Sequence, residues 1–68
     1  MHLELTNEGR TVRVRRNDQH PEYYLWIDVD DATYFLGVFE QGMTRGEVRR
    51  MAERWLVAHN QRKYARKK

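Results

Sequence analysis

Alternating apolar and polar residues near the start of the chain predict a β-hairpin. Residues 3–6 and 11–15 alternate with a period of two, which is typical of a strand with one buried face. Residues 7–10 between them form a turn signal, because Gly9 tolerates a positive φ angle. A two-residue loop at this turn gives the cross-strand pairs Leu3–Val14, Glu4–Arg13, Leu5–Val12 and Thr6–Thr11. One face of the hairpin is then apolar, and the other carries an ion pair and a threonine pair.

A second pair of strand-like segments, 22–30 and 32–39, follows a polar connection that contains the single proline of the sequence. A turn at Asp30-Asp31 gives an apolar face with the pairs Tyr23–Val38, Leu25–Leu36, Ile27–Tyr34 and Val29–Ala32. On the opposite face, this register places Trp26 across from Phe35 and Tyr24 across from Gly37. The second hairpin is therefore predicted to carry several aromatic side chains on the face opposite its apolar face.

A helix is predicted from residue 45 to about residue 61. Thr44 and Glu47 have the spacing of a capping box, in which each residue binds a backbone N–H of the other. The apolar side of the helix repeats with helical spacing and consists of Val48, Met51, Ala52, Trp55, Leu56 and His59. We expect the helix to fray after residue 61, which leaves residues 62–68 as a basic tail.

These elements predict the α+β class: a four-stranded antiparallel β-meander packed on one face by a single C-terminal amphipathic helix. The predicted strands cover residues 2–6, 11–16, 22–29 and 32–39. With 68 residues in total, the chain 1–68 is expected to form a single domain. A domain of this size buries only about 60% of the surface of its unfolded chain, so dimerisation would add to its stability.

The composition excludes several classes of function. The chain contains no cysteine, which removes disulfide-stapled folds and zinc sites built on thiolates. It lacks a Ser/His/Asp set and a glycine-rich phosphate loop, so we expect no enzyme and no cofactor. The histidines do not have the spacing of metal ligands; they are His2, His20 and His59. Three carboxylates around the second turn suit either turn formation, which we favour, or a hard cation; they are Asp28, Asp30 and Asp31.

No apolar stretch approaches the ~20 residues of a membrane span, and the N-terminal residues do not have the pattern of a signal peptide. We therefore expect a cytoplasmic protein that does not contact membranes.

Charge is distributed unevenly along the chain. Residues 1–42 hold four basic and eight acidic side chains, a net charge of −4, whereas residues 43–68 hold nine basic and two acidic ones, a net charge of +7. This asymmetry favours a polyanion as partner of the C-terminal half, or a protein with complementary patches. The alternative interpretation of residues 61–68 is a solvated tail that keeps the protein soluble.

The sheet face opposite the helix combines aromatic and charged side chains, and the predicted register places there His2, Glu4, Arg13, Arg15, Tyr24, Trp26, Asp28 and Phe35. Aromatic residues beside arginines are enriched at protein-binding hot spots, and they also form stacking platforms for bases. The alternative is that these aromatic residues are ordinary strand formers that pack across the sheet. A contiguous cluster favours binding or self-association.

The last predicted strand has the motif aromatic-Leu-Gly-x-Phe over residues 35–39, preceded by Tyr34 and followed by the capped helix with Ala52. In these features residues 10–60 resemble two related groups of DNA-binding domains. One is the plant ethylene-response (GCC-box) type, and the other is the arm-binding N-terminal domain of phage and transposon integrases.

This resemblance implies a sheet that reads the DNA major groove, and the matching outward positions are Arg13, Arg15, Trp26 and Phe35. The chain departs from both groups in its additional strand at residues 3–6 and in its acidic central hairpin.

The first functional hypothesis is a small DNA-binding or accessory protein, from a phage or mobile element, that uses the free sheet face and a basic helix and tail. Its predicted contacts are Arg13, Arg15, Tyr24, Trp26 and Phe35 on the sheet, and Arg62, Lys63, Arg66, Lys67 and Lys68 on the tail. The alternative is a protein-binding module, an inhibitor or adaptor, that uses the aromatic sheet face. A homodimer that buries Trp26 and Phe35 is compatible with either hypothesis.

Overall fold

The computed structural model describes residues 2–17 and 24–65. Its elements are β1 (His2–Asn7), β2 (Arg10–Asn17), β3 (Tyr24–Val29), β4 (Ala32–Val38) and α1 (Arg45–Ala65). The strands form one sheet in the order β1-β2-β3-β4, and every neighbouring pair is antiparallel. The helix packs on one face of this sheet, so the predicted α+β class with a β-meander and a C-terminal helix is confirmed.

The first hairpin has the predicted register. Leu5 pairs with Val12, Glu4 pairs with Arg13, and the other predicted pairs are also present. The two turn residues, Glu8 and Gly9, both have positive φ angles, of 54° and 77°. Two consecutive positive φ angles are the mark of a type I′ turn, whose twist matches that of the flanking strands. The turn therefore fixes the register that buries the apolar face.

The core lies between α1 and the helix-facing side of β1, β2 and β3. Side chains from these strands alternate between buried and exposed along the chain, as period-two patterning requires. The helix contributes a stripe spaced by four residues. The buried residues are Leu3, Leu5, Val12, Val14, Leu25, Ile27, Val29, Val48, Ala52 and Leu56. Because β4 has no fully buried residue, the sheet is anchored mainly by its first three strands.

The second hairpin follows the predicted register only as far as Trp26 and Phe35, which are paired. Beyond this pair the register shifts, and the pairs are Leu25–Gly37 and Tyr24–Val38. The predicted pairs Leu25–Leu36 and Tyr24–Gly37 are therefore wrong, and Tyr23 lies outside the described residues. Leu36 is the additional residue of a β-bulge.

Because of the bulge, the side chains of residues 37–39 point to the opposite sides of the sheet from those predicted. Gly37 now points toward the helix, where a Cβ atom would lie 3.0 Å from Sδ of Met51. Val38 points outward with 43% of its surface exposed, although alternation predicts it to be buried. Phe39, which is predicted to point outward, packs against the core, and the guanidinium of Arg16 lies 5.0 Å from its ring centre. The absence of a side chain at Gly37 thus allows the helix to approach β4.

Both ends of α1 are defined by side-chain contacts. At the start, Thr44 and Glu47 form the predicted capping box: the Thr44 backbone N–H donates to Glu47 Oε1 (3.0 Å), and the Glu47 N–H donates to Thr44 Oγ1 (3.2 Å). This N–H of Thr44 holds the pKa of Glu47 below its usual value. At the other end the helix continues to Ala65, four residues past the predicted end, because polar side chains of this segment contact the hairpin turns.

Candidate functional site

Three aromatic rings lie together on the free sheet face, opposite the helix. Tyr24, Trp26 and Phe35, here the aromatic cluster, come from β3 and β4. The ring centre of Phe35 lies 5.6 Å from that of Tyr24 and 5.7 Å from that of Trp26, and both contacts are edge-to-face. Phe35 is 50% exposed and Val38 lies at the edge of the cluster, so a contiguous apolar surface faces solvent.

The arginines of this face are engaged by carboxylates. Arg15 makes two hydrogen bonds to Asp28, from Nε to Oδ2 (2.7 Å) and from Nη2 to Oδ1 (3.1 Å). Arg13 Nε lies 3.4 Å from Glu4 Oε2. The Arg15 guanidinium is the main reason why the pKa of the Asp28 carboxyl is below its usual value, and Thr33 donates a further hydrogen bond to it. The sheet face is therefore close to neutral, since two arginines are balanced by two carboxylates.

The C-terminal half of α1 is held by polar contacts to both hairpin turns, which we call the polar clamp. Its members on the turns are Asn7, Glu8 and Asp30, and its members on the helix are His59, Asn60, Lys63 and Tyr64. The side-chain amides of Asn7 and Asn60 bond reciprocally, at 3.2 and 2.8 Å. These contacts continue the buried stripe of the helix with polar groups.

Lys63 is the centre of the polar clamp. Its Nζ donates to Glu8 Oε1 (3.0 Å) and to Asp30 Oδ2 (3.1 Å). His59 Nε2 also lies 2.9 Å from Asp30 Oδ2. Hydrogen bonds from Tyr64 and Lys63 lower the pKa of Glu8, and those from His59 and Lys63 lower the pKa of Asp30. Lys63, a predicted phosphate contact, is therefore bound within the protein.

Three arginines on the exposed side of α1 make no ion pair among the described residues, although the Arg50 charge adds to the Thr44 hydrogen bonds in lowering the pKa of Glu47. Arg50, Arg54 and Arg62, here the arginine row, are exposed, and within residues 2–17 and 24–65 no carboxylate lies at ion-pair distance from them. The neighbouring Arg49 instead pairs with Glu53, with Nε 3.6 Å from Oε2. At 1.5 Å per residue and 3.6 residues per turn, the three positions extend over about 18 Å along the helix and about 120° around it.

The sequence prediction expects a basic helix to take part in DNA binding, but of this row it names only Arg62 as a contact residue. A usable signal was present, because the polar side of the predicted helix carries arginines four residues apart and only two glutamates. The remaining predicted tail contacts, Arg66, Lys67 and Lys68, lie outside the described residues.

Other classes of site find little support in the described part of the chain. No group of three or more His, Asp or Glu side chains in residues 2–17 and 24–65 could hold a metal ion. Of the segments the structure describes, α1 is not apolar enough to cross a membrane.

No protein-family model matches this chain, and no curated protein or solved structure matches it either. The chain is therefore defined by its α+β fold and by three surfaces: the aromatic cluster, the polar clamp and the arginine row.

Proposed function

We propose that this chain is a small, non-enzymatic DNA-binding protein whose main phosphate contacts come from the exposed side of α1. The observation that carries the proposal is the arginine row, in which three exposed guanidinium groups make no ion pair within residues 2–17 and 24–65, although Glu47 interacts electrostatically with Arg50. Exposed arginines bind phosphate through two parallel N–H···O bonds, and each such contact releases a counterion from DNA.

The charge of the sheet face argues for this location. A phosphate that approaches Arg15 also approaches Asp28, and one that approaches Arg13 also approaches Glu4. Each contact would have to replace an existing ion pair and place two negative charges close together. The resemblance to sheet-reading domains predicts the opposite, namely that Arg13 and Arg15 bind DNA, so the two surfaces can be compared directly.

The dependence of DNA affinity on salt distinguishes the two surfaces. For a labelled duplex of about 20 base pairs, three phosphate contacts are expected to give a slope of about −3 for log affinity against log salt. The double variant Arg50→Ala/Arg54→Ala should reduce the magnitude of this slope by about 2. Fluorescence anisotropy between about 50 and 200 mM salt measures both slopes.

The matched control is the double variant Arg13→Ala/Arg15→Ala. It removes the same two positive charges from the whole protein, but it takes them from the sheet face. We expect its slope to remain close to that of the unaltered chain, because these arginines already bind carboxylates. An equal loss in both double variants would contradict the assignment to α1, and absence of binding at about 50 mM salt would refute DNA binding itself.

A second candidate function, self-association through the free sheet face, is favoured by the aromatic cluster. A second copy suits this face because its charges are balanced in pairs, so two copies can meet there without net repulsion. The helix side, with its arginine row, would repel a copy. Sedimentation velocity over a wide range of protein concentrations should show a dimer, and Phe35→Ala should weaken it, because aromatic anchors dominate such interfaces. A monomer at every concentration would contradict this candidate.

A further inference from the structure

A cavity of about 550 Å³ lies between the C-terminal half of α1 and the turn of the second hairpin. It is lined by Arg10, Asp30, Tyr34, His59, Arg62 and Lys63. Its volume is within the range of about 300–1,000 Å³ that small-molecule sites occupy. Three of the lining side chains are cationic and one is a carboxylate, and Glu8 beside Lys63 adds a second negative charge, so a net positive charge remains.

The single lining carboxylate does not cancel this charge. Asp30 already accepts hydrogen bonds from His59 and Lys63, and Arg10 Nη1 lies 3.7 Å from its second oxygen. Lys63 uses two of its three N–H donors on Glu8 and Asp30, which leaves one for a ligand. Arg62 has no carboxylate at ion-pair distance in the described residues, and its guanidinium offers five donors. An anionic group therefore finds several N–H donors here.

The other wall of the cavity is the aromatic ring of Tyr34, which packs against two further rings. The ring centre of Tyr34 lies 5.2 Å from that of Trp55 and 5.5 Å from that of His59. Trp55 and His59 are themselves stacked, with ring centres 4.9 Å apart. Tyr34 nevertheless remains 38% exposed. A partly exposed aromatic ring beside cationic groups is the arrangement on which unpaired bases stack.

We propose that this cavity binds one unpaired nucleotide, with its phosphate on Arg62 and its base against Tyr34. The inference rests on the proposed DNA binding and adds the kind of DNA that binds best: a duplex with a single-stranded end. Arg62 belongs to both features, because it ends the arginine row and lines the cavity. A duplex bound along the row thus brings an overhanging nucleotide to Tyr34.

The test compares a blunt duplex with the same duplex carrying a short single-stranded overhang. Anisotropy titrations should show about tenfold tighter binding of the overhang, which is the scale of one stacked base. Tyr34→Ala should abolish this preference, whereas Tyr34→Phe should retain it because the ring is kept. Arg50→Ala should weaken both duplexes by the same factor and leave their ratio unchanged.

The blunt duplex also reports whether a variant is folded. If Tyr34→Ala binds the blunt duplex as the unaltered chain does, a lost overhang preference comes from the missing ring rather than from unfolding. As a second measurement, NMR titration with thymidine monophosphate should shift the signals of Tyr34 and His59 more than ribose 5-phosphate does. Equal shifts with the two ligands would overturn the inference, because the base would then add nothing.

Different results would contradict the proposed nucleotide site and the proposed DNA binding. Equal affinity for blunt and overhanging duplexes, with a salt dependence that follows the arginine row, would overturn the nucleotide site and leave DNA binding in place. Absence of binding to either duplex would overturn both proposals.

Discussion

Replacing Leu25 with alanine is expected to lower the free energy of unfolding by roughly 2–5 kcal/mol. Leu25 is 0% exposed and lies on β3, where it packs between the sheet and the helix. A stable domain of this length has roughly 3–10 kcal/mol of unfolding free energy in total. The substitution therefore removes a large part of the stability, and urea denaturation followed by circular dichroism measures it.

Val57→Ala provides the control for this prediction. It also shortens an apolar side chain, but Val57 is 57% exposed on the outer side of α1. Alanine favours the helix more than valine does, so the unfolding free energy should change by less than about 0.5 kcal/mol. If the two substitutions destabilised the chain equally, Leu25 would not lie in the core that the structure defines.

The first hairpin and the start of the helix were predictable because their determinants are local. In the first hairpin, strict alternation and a turn containing Gly9 select one register, and a shift by one residue would bury Glu4 and Arg13. The capping box requires only Thr44 and Glu47, three residues apart. In both places neighbouring residues alone decide the structure.

The bulge in β4 was not predictable from local pattern. Alternation predicted that Val38 faces the helix, but Leu36, Gly37 and Val38 are all non-polar, so no polar side chain in this stretch opposes a shift of the register. The choice depends on Met51, which comes from α1 and occupies the space beside Gly37. Such a contact exists only once the helix has docked.

The ion pairs of the free sheet face were likewise predictable only where both partners belong to the same hairpin. The ion pair between Glu4 and Arg13 follows from the hairpin register and was predicted. The bidentate pair of Arg15 with Asp28 joins β2 of the first hairpin to β3 of the second, and no turn signal in the polar connection between the hairpins specifies the register of these two strands. The sequence therefore predicts that both arginines lie on the free sheet face and that Glu4 neutralises Arg13, but not that Asp28 neutralises Arg15.

The extension of α1 was missed for a related reason. Acidic residues in both turns and cationic residues near the end of the helix were visible in the sequence, but Lys63 and Glu8 are 55 positions apart. Nothing local connects them. Only the sheet, which places the two turns side by side beneath the helix end, turns Lys63 from a solvated charge into a bridging group.

Acidification is expected to release the last turn of α1 by breaking the polar clamp. The pKa values of Asp30 and Glu8 are lowered from their usual values of 3.8 and 4.5 by hydrogen bonds from His59, Lys63 and Tyr64. A group whose pKa is lower in the folded state stabilises that state fully above its unfolded pKa, and the contribution is lost as the pH falls through the folded pKa. The clamp should thus be intact above about pH 5 and open progressively below about pH 4.

At high pH, deprotonation of Lys63 is also expected to open the polar clamp. Its pKa is raised above 10.5 by Glu8 and Asp30, so its contribution is complete below that value and is lost as the pH rises through the folded pKa. Helical NMR chemical shifts at residues 62–65 should therefore persist at neutral pH and disappear at both extremes. The signals of Val48, in the buried first half of the helix, should change less in the same titration.

Substitution separates the clamp from general acid unfolding. Asp30→Asn removes the charge that Lys63 and Arg10 share, so at neutral pH it should loosen residues 62–65 as acid does in the unaltered chain. Glu53→Gln also removes one carboxylate, but Glu53 pairs with Arg49 on the helix itself and should leave those signals unchanged. If residues 62–65 stayed helical in Asp30→Asn and below the folded pKa of both turn carboxylates, the clamp would not hold the helix end. Helix propensity of the segment would then have to account for its order.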